Sequence, residues 1–155
     1  MFNLFNDTPV AGKASTEIQC PSEKLFDFIG NHLLTNYPKW SPEVVELEQL
    51  STGSITQGTL CRQVRVDQGN RSESTFKVVV FSPVSRICFE GVSNPFRCDY
   101  VLEVVDQSAT RLSFIFELLS LELHMRPFEK LIRFAVQDGT ERTVRNIRKL
   151  IEATL

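Results

Sequence analysis

Residues 127–153, PFEKLIRFAVQDGTERTVRNIRKLIEA, decide the fold. Phe128, Leu131, Ile132, Ala135, Val136, Val144, Ile147, Leu150 and Ile151 recur at the spacing of an amphipathic helix, so the stretch reads as one long C-terminal helix from Pro127 to Ala153. Pro127 suits the first turn, where an N–H has no intrahelical acceptor anyway, and Arg145, Arg148 and Lys149 sit near the end where cations complement the helix dipole. Gly139 interrupts the pattern at a cost of about 1 kcal/mol relative to Ala. It marks a bend, a close approach to another backbone, or room left for something else. An apolar stripe of this length needs a surface to cover.

The chain before it supplies a sheet. Lys13 to Cys20 alternates small or apolar with polar residues, the period of a first strand. Pro21, Ser22 and Glu23 then open a helix whose apolar stripe of Leu25, Phe26, Phe28 and Ile29 runs to Gly30. A second short helix is expected from His32 to Tyr37, closed by Pro38 because the residue before a proline is pushed out of helical geometry. Six strand patterns follow, over Val44–Leu50, Gly58–Val66, Ser72–Phe81, Arg86–Val92, Phe96–Val105 and Thr110–Leu119. Asp67, Gln68, Gly69 and Asn70 carry hairpin chemistry, and Ser82–Pro83 and Asn94–Pro95 break the chain between strands. Short connections imply antiparallel neighbours, so these six should form a meander with the first strand closing onto one edge. No repeat or linker divides the chain, which reads as a single α+β domain over residues 1–155 with residues 1–12 as an N-terminal extension.

Composition narrows the function classes. Twelve Phe against two Tyr and one Trp give an aromatic surface that mostly cannot hydrogen-bond, which suits a core or an apolar cavity. A formal net charge of −2, with acids and bases interspersed, lacks the basic footprint of nucleic-acid binding. The first ten residues have neither the basic start nor the apolar run of a signal peptide, and no segment has the apolar length of a membrane helix. A cytoplasmic location is expected. Cys20, Cys61, Cys88 and Cys98 contain no CxxC pair and lie in or beside apolar segments, so they read as small buried hydrophobes, with neither disulfide nor metal site. No cofactor is implied, and homodimerisation stays open.

Several local stretches, taken with this order of elements, carry a family likeness. They are Ile18 and Cys20 to Glu23 with Leu25, Phe26, Phe28 and Ile29; Asn36 to Pro42; Gly58–Thr59; Phe81 to Pro83; Thr110 to Leu112; and the terminal helix. The sequence resembles the START-like, or SRPBCC, superfamily in its polyketide cyclase/dehydrase and lipid-transport branch, over roughly residues 13 to 152. The resemblance implies a helix-grip fold, a seven-stranded curved sheet wrapped around the long helix, with a cavity between them for sterols, lipids, polyketides or other apolar molecules. It does not separate carriers from cyclases, dehydratases or hydrolases, or from quinone-binding or protein-regulating modules, and fold alone cannot.

The side chains offered to such a cavity follow from strand alternation, with the more apolar series taken as helix-facing. These are Phe76 and Val78 with Val80; Phe89 with Ile87; Phe96, Cys98 and Tyr100; and Phe114 and Phe116. From the helix, Leu131, Ala135 and Gly139 are expected to face the same space, and Trp40 to close one end. On the strand from Gly58 the apolar series is Leu60, Arg62, Val64 and Val66, which points Arg62 inward and demands an internal carboxylate or an acidic ligand; a bulge would instead turn it to solvent. Ser74 and Tyr100 are the inward hydroxyls that could orient a ligand oxygen. No spacing marks a catalytic group: His124 beside Glu122 reads equally as surface, and no Ser/His/Asp, HExxH, P-loop or GxGxxG motif is present. Reversible binding of an apolar or amphipathic small molecule is the leading reading.

Overall fold

A computed structural model describes residues 9–154. Seven strands, β1 (Val10–Ile18), β2 (Val44–Gln49), β3 (Leu60–Asp67), β4 (Asn70–Ser82), β5 (Arg86–Gly91), β6 (Phe96–Asp106) and β7 (Ala109–Leu118), form one sheet in the order β1-β7-β6-β5-β4-β3-β2. Every pair is antiparallel. Two short helices, α1 (Ser22–Phe26) and α2 (Leu33–Trp40), fill the crossover from β1 to β2, and α3 (Glu129–Glu152) closes the chain after a 3-10 segment over Leu123–Phe128. This is the helix-grip arrangement. β1 takes in Val10 to Gly12, which the sequence pattern assigns to an extension; residues 1–8 lie outside the described residues.

Local chemistry explains the joints. Gln68 and Gly69 both adopt positive φ, at 50° and 84°, as a two-residue hairpin turn between antiparallel strands requires. Residues 27–31 form a π turn, so the first helical segment changes character before Gly30. α2 runs through Pro38 to Trp40, against the expectation that Pro38 would end it. The last turn is held by burial of Tyr37 and Trp40 and by the Asn36 side-chain bond to the Phe28 carbonyl at 2.9 Å, which together outweigh the preference of a pre-proline residue. In β4 a bulge falls between Val78 and Val80. It turns Val80 to the outer face opposite Cys88 and brings Phe81 inward opposite Ile87, where Phe81 meets Phe26 edge-on at 5.2 Å.

Across the concave face the core comprises Ile18, Leu25, Phe26, Ile29, Leu33, Phe76, Val78, Ile87, Phe89, Leu102 and Leu112 together with Val144, Ile147 and Ile151 of α3. α3 crosses β1 closely at Gly12, where an added Cβ would lie 3.0 Å from both Cγ1 and the carbonyl oxygen of Val136. One residue on, the Gln137 amide accepts from the Lys13 N–H at 3.1 Å and donates to the Lys13 carbonyl at 2.9 Å. The outer edge of β1 is thereby capped by a side chain, which removes a site for strand addition.

Candidate ligand-binding cavity

The core occupies only part of the space between sheet and helix. The remainder is a cavity of about 1050 Å³, at the upper end of the size usual for small-molecule sites. Its walls are Phe96, Cys98 and Tyr100 of β6, Phe114, Phe116 and Leu118 of β7, and Ile132, Ala135, Val136 and Gly139 of α3. Exposed residues of the β3–β4 hairpin and Asn94 and Pro95 of the β5–β6 loop form its rim opposite α3. An added Cβ at Gly139 would meet nothing nearer than Arg142 at 3.9 Å, so this glycine leaves room rather than permitting a backbone approach.

The inner end is set by α2. Tyr37 and Trp40 project between the open cavity and the packed core, with Tyr37 against Phe89 at 5.6 Å and Trp40 edge-on to Tyr100 at 5.8 Å. Behind them Phe76 and Phe89 stack at 4.2 Å, fully buried, with Val78 alongside. These three expected ligand contacts therefore belong to the core and not to the cavity wall. Leu131 is likewise absent from the wall, because the rotation of α3 leaves it 69% exposed. Trp40, Ser74, Phe96, Cys98, Tyr100, Phe114, Phe116, Ala135 and Gly139 do line the cavity.

Arg62 points the other way. β3 presents Cys61, Gln63 and Arg65 to the concave side, and Arg62 lies on the outer face, bonded to Glu73 at 3.0 Å and Glu46 at 3.3 Å. The apolar residue that misled the alternation, Val64, is fully buried outside the main core, with Glu46 and Glu73 as its cross-strand neighbours and Arg62 joining them. The guanidinium that β3 does bring to the cavity is Arg65. It forms a two-point pair with Asp67, with both contacts at 3.1 Å, and reaches the Ser41 hydroxyl at 3.3 Å and the Tyr37 hydroxyl at 3.5 Å. Burial opposes its charge while the Asp67 carboxylate favours it, and the guanidinium stays protonated.

A chain of hydrogen bonds runs from Arg65 into the wall. Arg65 donates to the Tyr37 oxygen, Tyr37 donates to Gln63 Oε1 at 3.0 Å, and Gln63 Nε2 donates to Ser74 Oγ at 3.2 Å. Ser74, having accepted, is left to donate its own O–H into the cavity it lines. Tyr100 accepts from the Trp40 indole at 3.2 Å and is likewise left with a donor. Burial pushes the pKa of both phenols up, so each keeps its proton.

Charge on the lining is unbalanced: Arg65 and Arg142 face the carboxylates of Glu43, Asp67 and Asp138, while Glu73, bonded to Arg62, points outward. The cysteines are all free and buried; burial pushes Cys61 up to about 11 and Cys88 up to about 12 and raises Cys98 as well, which holds the thiol in the wall protonated. Among the described residues no cluster of three His, Cys, Asp or Glu side chains could hold a metal ion, and no helix is long and apolar enough to cross a membrane. His124 and Glu122 pair at 3.3 Å on the surface, outside the cavity.

A curved sheet gripping a helix around an aromatic-walled cavity defines a START-like protein. The chain belongs to the polyketide cyclase / dehydrase and lipid transport family, whose model matches residues 10–152. No curated protein matches it in sequence. Among solved structures, the Zhui aromatase/cyclase of a Streptomyces species superposes with a TM-score of 0.78 at 11% identity, covering 94% of each chain. A Thermus thermophilus protein gives 0.71 at 17% identity, over 93% of this chain and 98% of the other. The di-domain aromatase/cyclase StfQ of the steffimycin biosynthetic pathway gives 0.76 at 10% identity over 97% of this chain and 53% of that one, so the present chain spans about half its length. At these identities the likeness is one of fold.

Proposed function

We propose that the cavity binds a neutral, oxygen-bearing aromatic or polyketide-type molecule. The observation that carries this reading is the relay from Arg65 through Tyr37 and Gln63, which ends on a Ser74 hydroxyl free to donate into a space walled by Phe96, Phe114 and Phe116. A ring system gains area and edge contacts against those phenylalanines, and a carbonyl or phenol oxygen accepts from Ser74. Ser72, Asn70, Asn94, Thr143 and Asn146 add further neutral partners around the lining. Fatty acids fit less well, since Arg65 already has Asp67 as its counter-ion and carboxylates outnumber cations in the wall.

Trp40, the chain's one tryptophan, lines the cavity and reports occupancy by fluorescence. 1,8-Dihydroxyanthraquinone is expected to quench it with saturation, and Ser74→Ala to weaken that binding by about 2- to 10-fold, the value of one net hydrogen bond. Anthracene, which has no acceptor, should bind wild type and Ser74→Ala equally. Saturable binding of neither compound would remove the reading.

A second reading, ring closure of a flexible polycarbonyl chain, is favoured by the contact of Arg65 with Tyr37, which places a cation beside a protonated phenol at the inner end of the cavity. Tyr37→Phe should then lower turnover of a polycarbonyl thioester more than it lowers binding of the anthraquinone.

A further inference from the structure

Two arginines reach the same carboxylate across the cavity. Glu43, just beyond α2, places Oε1 3.7 Å from Arg65 of β3 and Oε2 3.8 Å from Arg142 of α3. Both arginines have a closer partner of their own, Asp67 at 3.1 Å and Asp138 at 3.2 Å, so Glu43 is the loosely held, shared member of the group. Its backbone is fixed: the Glu43 carbonyl accepts from the Val66 N–H at 2.8 Å, and its side chain accepts from the Ser41 hydroxyl at 3.4 Å. The carboxylate lies between a sheet arginine and a helix arginine, both on the cavity wall.

We propose that Glu43 determines the charge selectivity of the cavity, by occupying as a built-in counter-ion the place that an anionic ligand group would take between Arg65 and Arg142. The inference rests on the cavity being a ligand site and specifies which ligands it rejects. An incoming carboxylate meets two arginines already neutralised by three carboxylates, so it gains little attraction and suffers repulsion from Glu43 itself. A neutral ligand of the same shape meets no such penalty. Removing the Glu43 charge while keeping its size leaves Asp67 and Asp138 in place and two guanidinium groups with donors to spare, which converts this part of the wall into a carboxylate site.

The test compares 2-naphthoate with 2-naphthamide, an isosteric anion and neutral pair, by ¹⁵N chemical-shift titration at low ionic strength. Wild type is expected to prefer the amide. Glu43→Gln should raise the ratio of carboxylate to amide affinity on the order of tenfold, and the gain should shrink with added salt. Adding Arg142→Met to Glu43→Gln should remove part of that gain, which a purely structural latch between α2 and α3 would not produce. If both folded proteins bind the amide and the ratio moves by less than about twofold, the assignment to Glu43 is overturned while the cavity remains a binding site. If neither protein, folded by circular dichroism, binds the amide, the cavity reading fails and the selectivity inference falls with it.

Discussion

The two halves of α3 are made for different work. From Thr140 onward, Thr140, Val144, Ile147 and Ile151 are buried against the sheet. From Glu129 to Gly139 no residue is buried: Ile132, Ala135 and Val136 look into the cavity, while Leu131 and Phe134 are 69% and 73% exposed. One continuous helix thus anchors the fold with its second half and roofs an unfilled space with its first. The contact that ties the roof down is local, at Gly12 and Lys13 of β1.

Substitutions should separate the halves. Ile147→Ala removes a fully buried side chain and is expected to cost about 2–5 kcal/mol in urea unfolding. A smaller but definite loss is expected of Gly12→Ala, whose Cβ would press on the Val136 backbone; overpacking of this kind costs about 1–3 kcal/mol. Gly139→Ala acts oppositely, adding up to about 1 kcal/mol of helix propensity because its Cβ meets open space. It also trims the cavity, so gained stability with weakened binding of a bulky ligand would tie the glycine to the site. Phe134→Ser should change stability by no more than about 0.5 kcal/mol. A loss comparable to Ile147→Ala at position 134 would show that the first half is as deeply packed as the second.

The same division explains what the sequence disclosed. On β6 and β7 the inward series is apolar throughout, and Phe96, Cys98, Tyr100, Phe114 and Phe116, which alternation turns inward, lie along the cavity. On β3 the interior is polar, since Gln63 and Arg65 are satisfied by Tyr37, Ser74 and Asp67, so choosing the more apolar series selected the outer face. The series Cys61, Gln63, Arg65 and Asp67 was visible, with a cysteine of a kind often buried and an acid two residues from a base. Only the partners brought by α2 make it an interior. Phe76, Val78 and Phe89 face the correct way yet lie behind Tyr37 and Trp40, because alternation gives a residue's side of the sheet and not how far along it the packing extends. The rotation of α3 is equally hidden: Phe134 widens the apolar stripe of Phe128, Leu131, Ile132, Ala135 and Val136 to about half the helix circumference, too broad to identify the cavity side.

Methyl NMR of the full chain with 1,8-dihydroxyanthraquinone separates the two halves of α3, because each carries reporters. A ligand site beneath the first half of α3 predicts intermolecular NOEs and saturating shifts at the methyls of Ile132, Ala135 and Val136, with the methyls of Ile147 and Ile151 showing no ligand NOE. Ligand NOEs confined to Ile147 and Ile151, or saturation with no response at Ile132 and Ala135, would contradict it.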